Sequence, residues 1–176
     1  MLPALFDFKP GEVVASLGCG GGAWEIGWMF RTPDLTCYLV DTDPELLNQE
    51  EVAAGIRYWE RRYQSRPEAR FIPVTGTART VPLDAQSVDK VLILNALHEF
   101  DFPDEMLADV RRILRPGGVL FIEEEEARFP GERHEGCGRL LFSFPGLQQK
   151  VTGLGFTAGP AYVSGDRAHI LIFYPD

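Results

Sequence analysis

The stretch Val13-Val14-Ala15-Ser16-Leu17-Gly18-Cys19-Gly20-Gly21-Gly22 constrains this chain more than any other. An apolar run that ends in four glycines within five positions reads as a buried strand feeding a tight turn. Glycine there lets the backbone adopt positive φ and come close to a ligand. A second apolar run, Leu35 to Val40, stops at Asp41. A strand, a glycine turn, and a carboxylate about 20 residues on form a nucleotide-binding pattern. The carboxylate can accept hydrogen bonds from both ribose hydroxyls.

The rest of the chain repeats the alternation. Strands are predicted near 12–17, 35–41, 70–74, 87–94 and 119–122. Helices are predicted at 22–30, from Asp43-Pro44-Glu45 to about Tyr63, at 103–114, and at 144–154. Asp43 caps the second of these, with Pro44 in its first turn. Arg115-Pro116-Gly117-Gly118 breaks the third. The tail, Phe156 to Tyr174, reads as two strands joined at Ser164-Gly165-Asp166, a hairpin signal. This order predicts an α/β fold. It is a doubly wound, mostly parallel seven-stranded sheet with a C-terminal antiparallel hairpin strand, in one domain over residues 1–176. Ligands of such sheets bind at the carboxyl ends of the strands. The glycine turn and Asp41 both lie there.

Composition narrows the partners. The formal net charge is -9, which argues against duplex nucleic acid, since phosphate binding needs a basic face. Cys19, Cys37 and Cys137 are odd in number and form no CxxC pair. They predict neither a disulfide framework nor a structural zinc site, and reduced thiols fit the cytoplasm. Residues 1–12 lack a basic region followed by an apolar one, so no signal peptide is expected. No apolar run is long enough to span a membrane.

Five segments, in order, resemble the class I S-adenosylmethionine-dependent methyltransferases. VVASLGCGGG is similar to the family's first motif, and LTCYLVDTDPELL to its ribose-binding segment. FIPVTGTARTVPLDAQSVDKVLILNALHEF resembles the third strand, adenine loop and fourth strand. MLADVRRILRPGGVLFIEE resembles the helix, turn and fifth strand, and GLQQKVTGLGF the late helix and the start of the sixth. The resemblance implies S-adenosyl-L-methionine as cofactor. It implies that Gly18, Cys19, Gly20 and Gly22 cradle the methionine part, with Ser16 beneath them. It assigns Asp41 to the ribose, Thr42, Thr77 and Ala78 to the adenine, and Asn95 to the floor under the methionine. A dinucleotide reading also exists, since Gly18-x-Gly20-x-x-Ala23 satisfies GxGxxG/A. The terminal hairpin and the RPGG turn favour the methyltransferase.

Two departures stand out. The family often carries an acid where this chain has Ser16, and an aspartate where it has Thr77. Each lost charge-assisted bond is expected to weaken cofactor binding by roughly 1–2 kcal/mol. The family's small-molecule members also often carry extra helices ahead of the first strand, which here begins near residue 12. Three arrangements stay open for the substrate mouth: open, closed by Ala127 to Arg139, or covered by a partner chain.

Substrate-side candidates follow the fourth and fifth strands. His98 is a candidate general base, with a packing histidine as the alternative. Glu99, Glu123 and His134 are assigned to the substrate side. The acidic run Glu123 to Glu126 leaves the fifth strand and reads as a solvated loop, with a negative mouth for a cationic or amine substrate as the alternative; Glu123 is expected to face the pocket. His134 and Cys137 form HxxC, but two ligands do not make a metal site, so no metal is expected. Trp24, Trp28, Trp59 and Tyr63 read as packing groups. The function expected is methyl transfer to a small-molecule acceptor. The alternatives are a non-catalytic binding or scaffold subunit and a protein methyltransferase with an open mouth.

Overall fold

A computed structural model describes residues 2–176. Met1, the first residue of the segment read as lacking a signal peptide, lies outside the described residues. Seven strands form one sheet: β1 (Val13–Leu17), β2 (Thr36–Asp41), β3 (Arg70–Thr75), β4 (Val88–Leu94), β5 (Leu114–Glu125), β6 (Phe156–Val163) and β7 (Ala168–Pro175). Their order is β3-β2-β1-β4-β5-β7-β6. β1 to β5 are parallel, while β7 runs antiparallel between β5 and β6. Chain order reverses between β1 and β4, which opens a crevice at their carboxyl ends. The expected doubly wound sheet with a terminal antiparallel hairpin is the one observed.

Period-two alternation divides the core between the two faces of the sheet. Val14, Leu92 and Phe121 pack with α1 (Leu2–Phe6), α2 (Ala23–Met29) and α3 (Gln49–Tyr63) through Phe6, Ile26, Met29 and Val52. Ala15, Ile93 and Ile122 pack with α4 (Pro103–Ile113) and α5 (Phe144–Thr152) through Leu107, Val110, Leu147 and Val151. Sequence reasoning missed α1, whose fully buried Phe6 meets the edge of Phe121 at 5.2 Å.

Three elements have bounds that depart from expectation by two residues or more. α3 starts at Gln49, not at Asp43, because Asn48 is the stronger cap: its side chain accepts from the backbone of Glu50 and Glu51. Asp43 instead accepts from Glu45 N–H in a separate short turn. β5 is longer than 119–122. It begins directly after α4 at Leu114, absorbs Arg115 to Gly118 as a register shift opposite Val88 and Lys90, and continues through Glu125. The acidic run is therefore mostly strand, with Glu123, Glu124 and Glu125 opposite Ile170, His169 and Ala168. The late helix ends at Thr152, with Gly153 as its cap.

Trp59 stacks on Tyr63 and donates its indole N–H to Ala23 C=O. A Cβ on Gly27 would lie 2.3 Å from the Trp59 ring, so glycine permits the close crossing of α2 and α3. Trp28 packs on Phe6. Trp24 departs from the packing expectation and is 68 % exposed.

Candidate cofactor and substrate site

The carboxyl ends of β1, β2 and β4 surround a cavity of about 310 Å3. Its wall includes Leu17, Gly18, Val40, Asp41, Thr42, Gly76, Thr77, Ala78, Asn95, Ala96, Glu99, Phe100, Asp101 and Met106. Seven of the sequence-derived site residues thus meet in one place: Gly18, Asp41, Thr42, Thr77, Ala78, Asn95 and Glu99.

Backbone bonds shape the glycine turn. Gly18 and Cys19 both donate N–H to Val40 C=O, at 2.8 and 3.3 Å, which ties the turn to the end of β2. Gly20 N–H donates to Asp41 Oδ2 at 2.9 Å. The other oxygen, Oδ1, accepts from Asp43 N–H at 3.0 Å. A carboxylate offers about four acceptor sites, so Asp41 organises both flanking turns and still keeps lone pairs for a ligand.

Glycine is required at Gly18. Its φ is +67°, and a Cβ would stand 2.7 Å from that of Ala96 and 3.2 Å from the Phe100 ring. Gly20 differs: at φ +54° a Cβ would meet no atom within 4 Å, so bare backbone is left for a ligand to approach. Asn95 ends β4 in the left-handed region, at φ +52°, and its N–H donates to Glu123 C=O. That sharp turn brings Asn95 onto the cavity wall.

Ser16, Cys19, Gly20 and Gly22 do not line the cavity. Ser16 is buried and donates its hydroxyl to Glu25 Oε1 at 3.1 Å. Glu25 sits in the first turn of α2 and is itself buried. Burial pushes its pKa up, offset in part by hydrogen bonds from its own backbone N–H and from Ser16. The acid absent at position 16 is thus present behind the turn, supplied from nine residues further on. The serine at 16 gave no sign of it in sequence. Cys19 is also held behind the turn, and burial, with the charges of Glu25 and Asp41, pushes its thiol pKa far up. Gly22 caps α2 at φ +66°, against Leu39.

Thr77 lines the cavity, but its hydroxyl closes its own turn. Thr77 Oγ1 accepts from the N–H of Arg79 and of Thr80 and lies 2.9 Å from Thr80 Oγ1.

The substrate-side residues separate into wall and backing. Glu99 is on the wall. His98 is not, because the 3-10 turn Leu97–Glu99 points Leu97 and His98 inward and Glu99 outward. The His98 side chain is fully buried, with Nδ1 2.7 Å from Glu124 Oε2 and Nε2 3.7 Å from Glu99 Oε1. Burial opposes a charge on this imidazole. The hydrogen bond and charge of Glu124, with the charges of Glu99 and Glu125, outweigh it and raise the pKa. Glu123 does not line the cavity. Alternation along β5 turns its neighbour Glu124 inward to His98, where Glu124 is fully buried. His134 packs against His98, ring centroids 4.8 Å apart, on the segment that covers this corner. Arg139 anchors that segment to Asp101 on the cavity wall. None of residues 127–139 lines the cavity itself; the segment reaches its rim through the Arg139–Asp101 ion pair.

The residue set fits the cofactor that the family implies. The volume falls in the usual range for small-molecule sites, roughly 300–1,000 Å3. The wall offers the carboxylate of Asp41, the glycine backbone of Gly18 and Gly76, and apolar surface from Leu17, Val40, Ala96 and Met106.

Known proteins agree. A family model described as a methyltransferase domain matches residues 15–122. An uncharacterized methyltransferase of Mycobacterium tuberculosis is 35% identical over 61% of this chain and 37% of its own length. A fatty-acid O-methyltransferase of Mycolicibacterium smegmatis is 29% identical over 68% of this chain and 39% of its own. The chain spans under two-fifths of the length of these relatives. Among solved structures, a SAM-dependent methyltransferase from Aquifex aeolicus covers 99% of this chain over 88% of its own, with a TM-score of 0.74 at 16% identity. The family match runs from β1 through β5 and so takes in the glycine turn, Asp41 and the adenine loop. The chain belongs to the methyltransferase-domain family, the class I type that uses S-adenosylmethionine.

Proposed function

We propose that this chain transfers a methyl group from S-adenosylmethionine to a small-molecule acceptor, with residues 1–176 acting as one domain. The observation that carries the proposal is the convergence of Gly18, Asp41, Thr77, Ala78 and Asn95 on one cavity at the switch point of the sheet. When bound, the cofactor supplies an electrophilic methyl group on a sulfonium. Asp41 accepts from the ribose hydroxyls with the lone pairs left after Gly20 and Asp43. Thr77 and Ala78 lie along the adenine, while Gly18 and Asn95 flank the methionine part.

The acceptor enters beside Glu99, Phe100, Asp101 and Met106. Transfer from a sulfonium requires in-line positioning before it requires a strong base. His98 is buried behind Glu99 and is not assigned contact with the acceptor. A relative named for fatty-acid O-methylation supports a small-molecule acceptor. Among the described residues, no helix is long and apolar enough to cross a membrane. Three free thiols fit a reducing compartment such as the cytoplasm.

Labelled methyl from S-adenosylmethionine, offered to a panel of small carboxylic acids, alcohols and amines and separately to lysate proteins, tests this. Label in the small-molecule fraction is expected. Label confined to protein identifies a protein methyltransferase, and cofactor binding without transfer to anything identifies a binding subunit.

A further inference from the structure

We propose that His98, His134 and Cys137 form a binding site for a single divalent transition-metal ion, zinc foremost, at the substrate-side corner of the cavity. One nitrogen from each imidazole and the thiol sulfur lie within 4.8 Å of one another. His134 and Cys137 alone are two ligands in an HxxC turn. The fold supplies the third from the end of β4, 36 positions earlier in the chain.

The strongest evidence is the orphan nitrogen of His98. Its side chain is fully buried and its Nε2 meets no hydrogen-bond partner. A buried polar atom left unsatisfied is costly. This one is next to two further donors, and an ion would satisfy it. Nδ1 is already engaged by buried Glu124 at 2.7 Å. Carboxylate on one imidazole nitrogen and metal on the other is the usual arrangement of metal-binding histidines, since the carboxylate fixes tautomer and ring orientation.

His134 also turns one nitrogen toward a carboxylate, at a longer distance, and its Nδ1 would exchange a hydrogen bond from Cys137 N–H for the ion. Its Nδ1 accepts from Cys137 N–H and lies 3.3 Å from Cys137 Sγ, while its Nε2 faces Glu125 Oε2 at 4.0 Å. A tetrahedral zinc with Zn–N near 2.0–2.1 Å and Zn–S near 2.3 Å has an N···S edge of about 3.5 Å. The His134–Cys137 pair is close to that spacing already. The three ligand atoms lie within 4.8 Å of one another, against edges of about 3.3–3.5 Å around a tetrahedral zinc, so a shift of up to about 1.5 Å in the covering turn brings all three to one ion. Two imidazoles and a thiolate suit zinc better than magnesium or calcium, which prefer oxygen. Binding releases the thiol proton of Cys137.

Three protein ligands leave a fourth position. Glu99 Oε1, 3.7 Å from His98 Nε2 and on the cavity wall, is beside it. The ion would pin the covering segment to β4 and face the acceptor side of the cavity.

The test is titration of chelator-treated, reduced full-length protein with Co2+ alone, then displacement by Zn2+. About one Co2+ per chain is expected, with tetrahedral visible bands and a thiolate-to-cobalt charge-transfer band. Cys137→Ser should abolish the charge-transfer band, and Glu124→Gln should weaken binding about 10–100-fold. Cys137 is exposed, so its variant is read even if changes at buried His98 impair folding. No tetrahedral spectrum at equimolar Co2+ would overturn the proposal, as would an unchanged band in Cys137→Ser. Titration of S-adenosylhomocysteine into the same metal-free protein keeps this result separate from the methyl-transfer reading.

Discussion

The cofactor edge and the substrate-side corner adjoin, yet they are built from different materials. At the cofactor edge every donor that sets the geometry is a backbone N–H: Gly18 and Cys19 on Val40 C=O, Gly20 and Asp43 on the two carboxylate oxygens of Asp41. In the corner they come from side chains: His98 on Glu124, His134 against Cys137, Arg139 on Asp101. Backbone geometry is specified by glycine and by strand ends, so it tolerates little substitution and accepts one ligand shape. Side-chain geometry is exchangeable without disturbing the fold that carries it.

The largest expected effect tests the backbone half. Gly18→Val adds a side chain in a left-handed conformation and pushes it into Ala96 and Phe100. Strain of about 1–2 kcal/mol and overpacking of about 1–3 kcal/mol should add. A melting point lowered by several degrees, with loss of S-adenosylhomocysteine binding, is expected in a thermal scan. A fully stable variant that binds normally would break the contrast. Asp41→Ala comes next. It removes the proposed ribose acceptor and releases the N–H groups of Gly20 and Asp43, so affinity by calorimetry should fall about tenfold or more.

A third effect is pH-dependent. Glu25 has its pKa raised by burial. A carboxyl whose folded value exceeds its unfolded value of about 4.3 favours folding fully below the unfolded value. That contribution is lost as pH rises through the folded value. Glu25→Gln should therefore flatten the fall in stability toward neutral pH, as read from urea midpoints across pH. An unchanged slope would mean that the buried carboxyl does not titrate as its burial dictates. The smallest effect is Thr77→Asp. An aspartate can close the same turn and also face the adenine, and cofactor affinity should rise about fivefold, or about 1 kcal/mol. No gain would show that the turn consumes the new carboxylate as it consumes the hydroxyl.

The same contrast explains what was legible in the sequence. Contiguous pattern was sufficient for the succession of strands and helices, the glycine turn and the place of Asp41 after β2, because each strand and its turn are adjacent in the chain. It was sufficient for Asn95 and Glu99, which follow β4 directly. It failed for Glu25, since a carboxyl in the first turn of a helix reads as an ordinary dipole-complementing acid. Only packing shows it beneath Ser16. It failed for the choice between Glu123 and Glu124, because treating the acidic run as a loop discarded the period-two alternation that turns Glu124 inward. The α3 boundary failed because Asp43 and Asn48 are both cap-type residues, and only the structure shows Asn48 accepting from two backbone N–H groups where Asp43 accepts from Glu45 alone. The corner itself joins residues 98–99, 124–125 and 134–137, and no local pattern links three such segments.

Calorimetric titration of S-adenosylhomocysteine into the wild-type protein tests the central claim most directly. Saturable binding at one ligand per chain is expected. No heat and no thermal shift at millimolar ligand would contradict it.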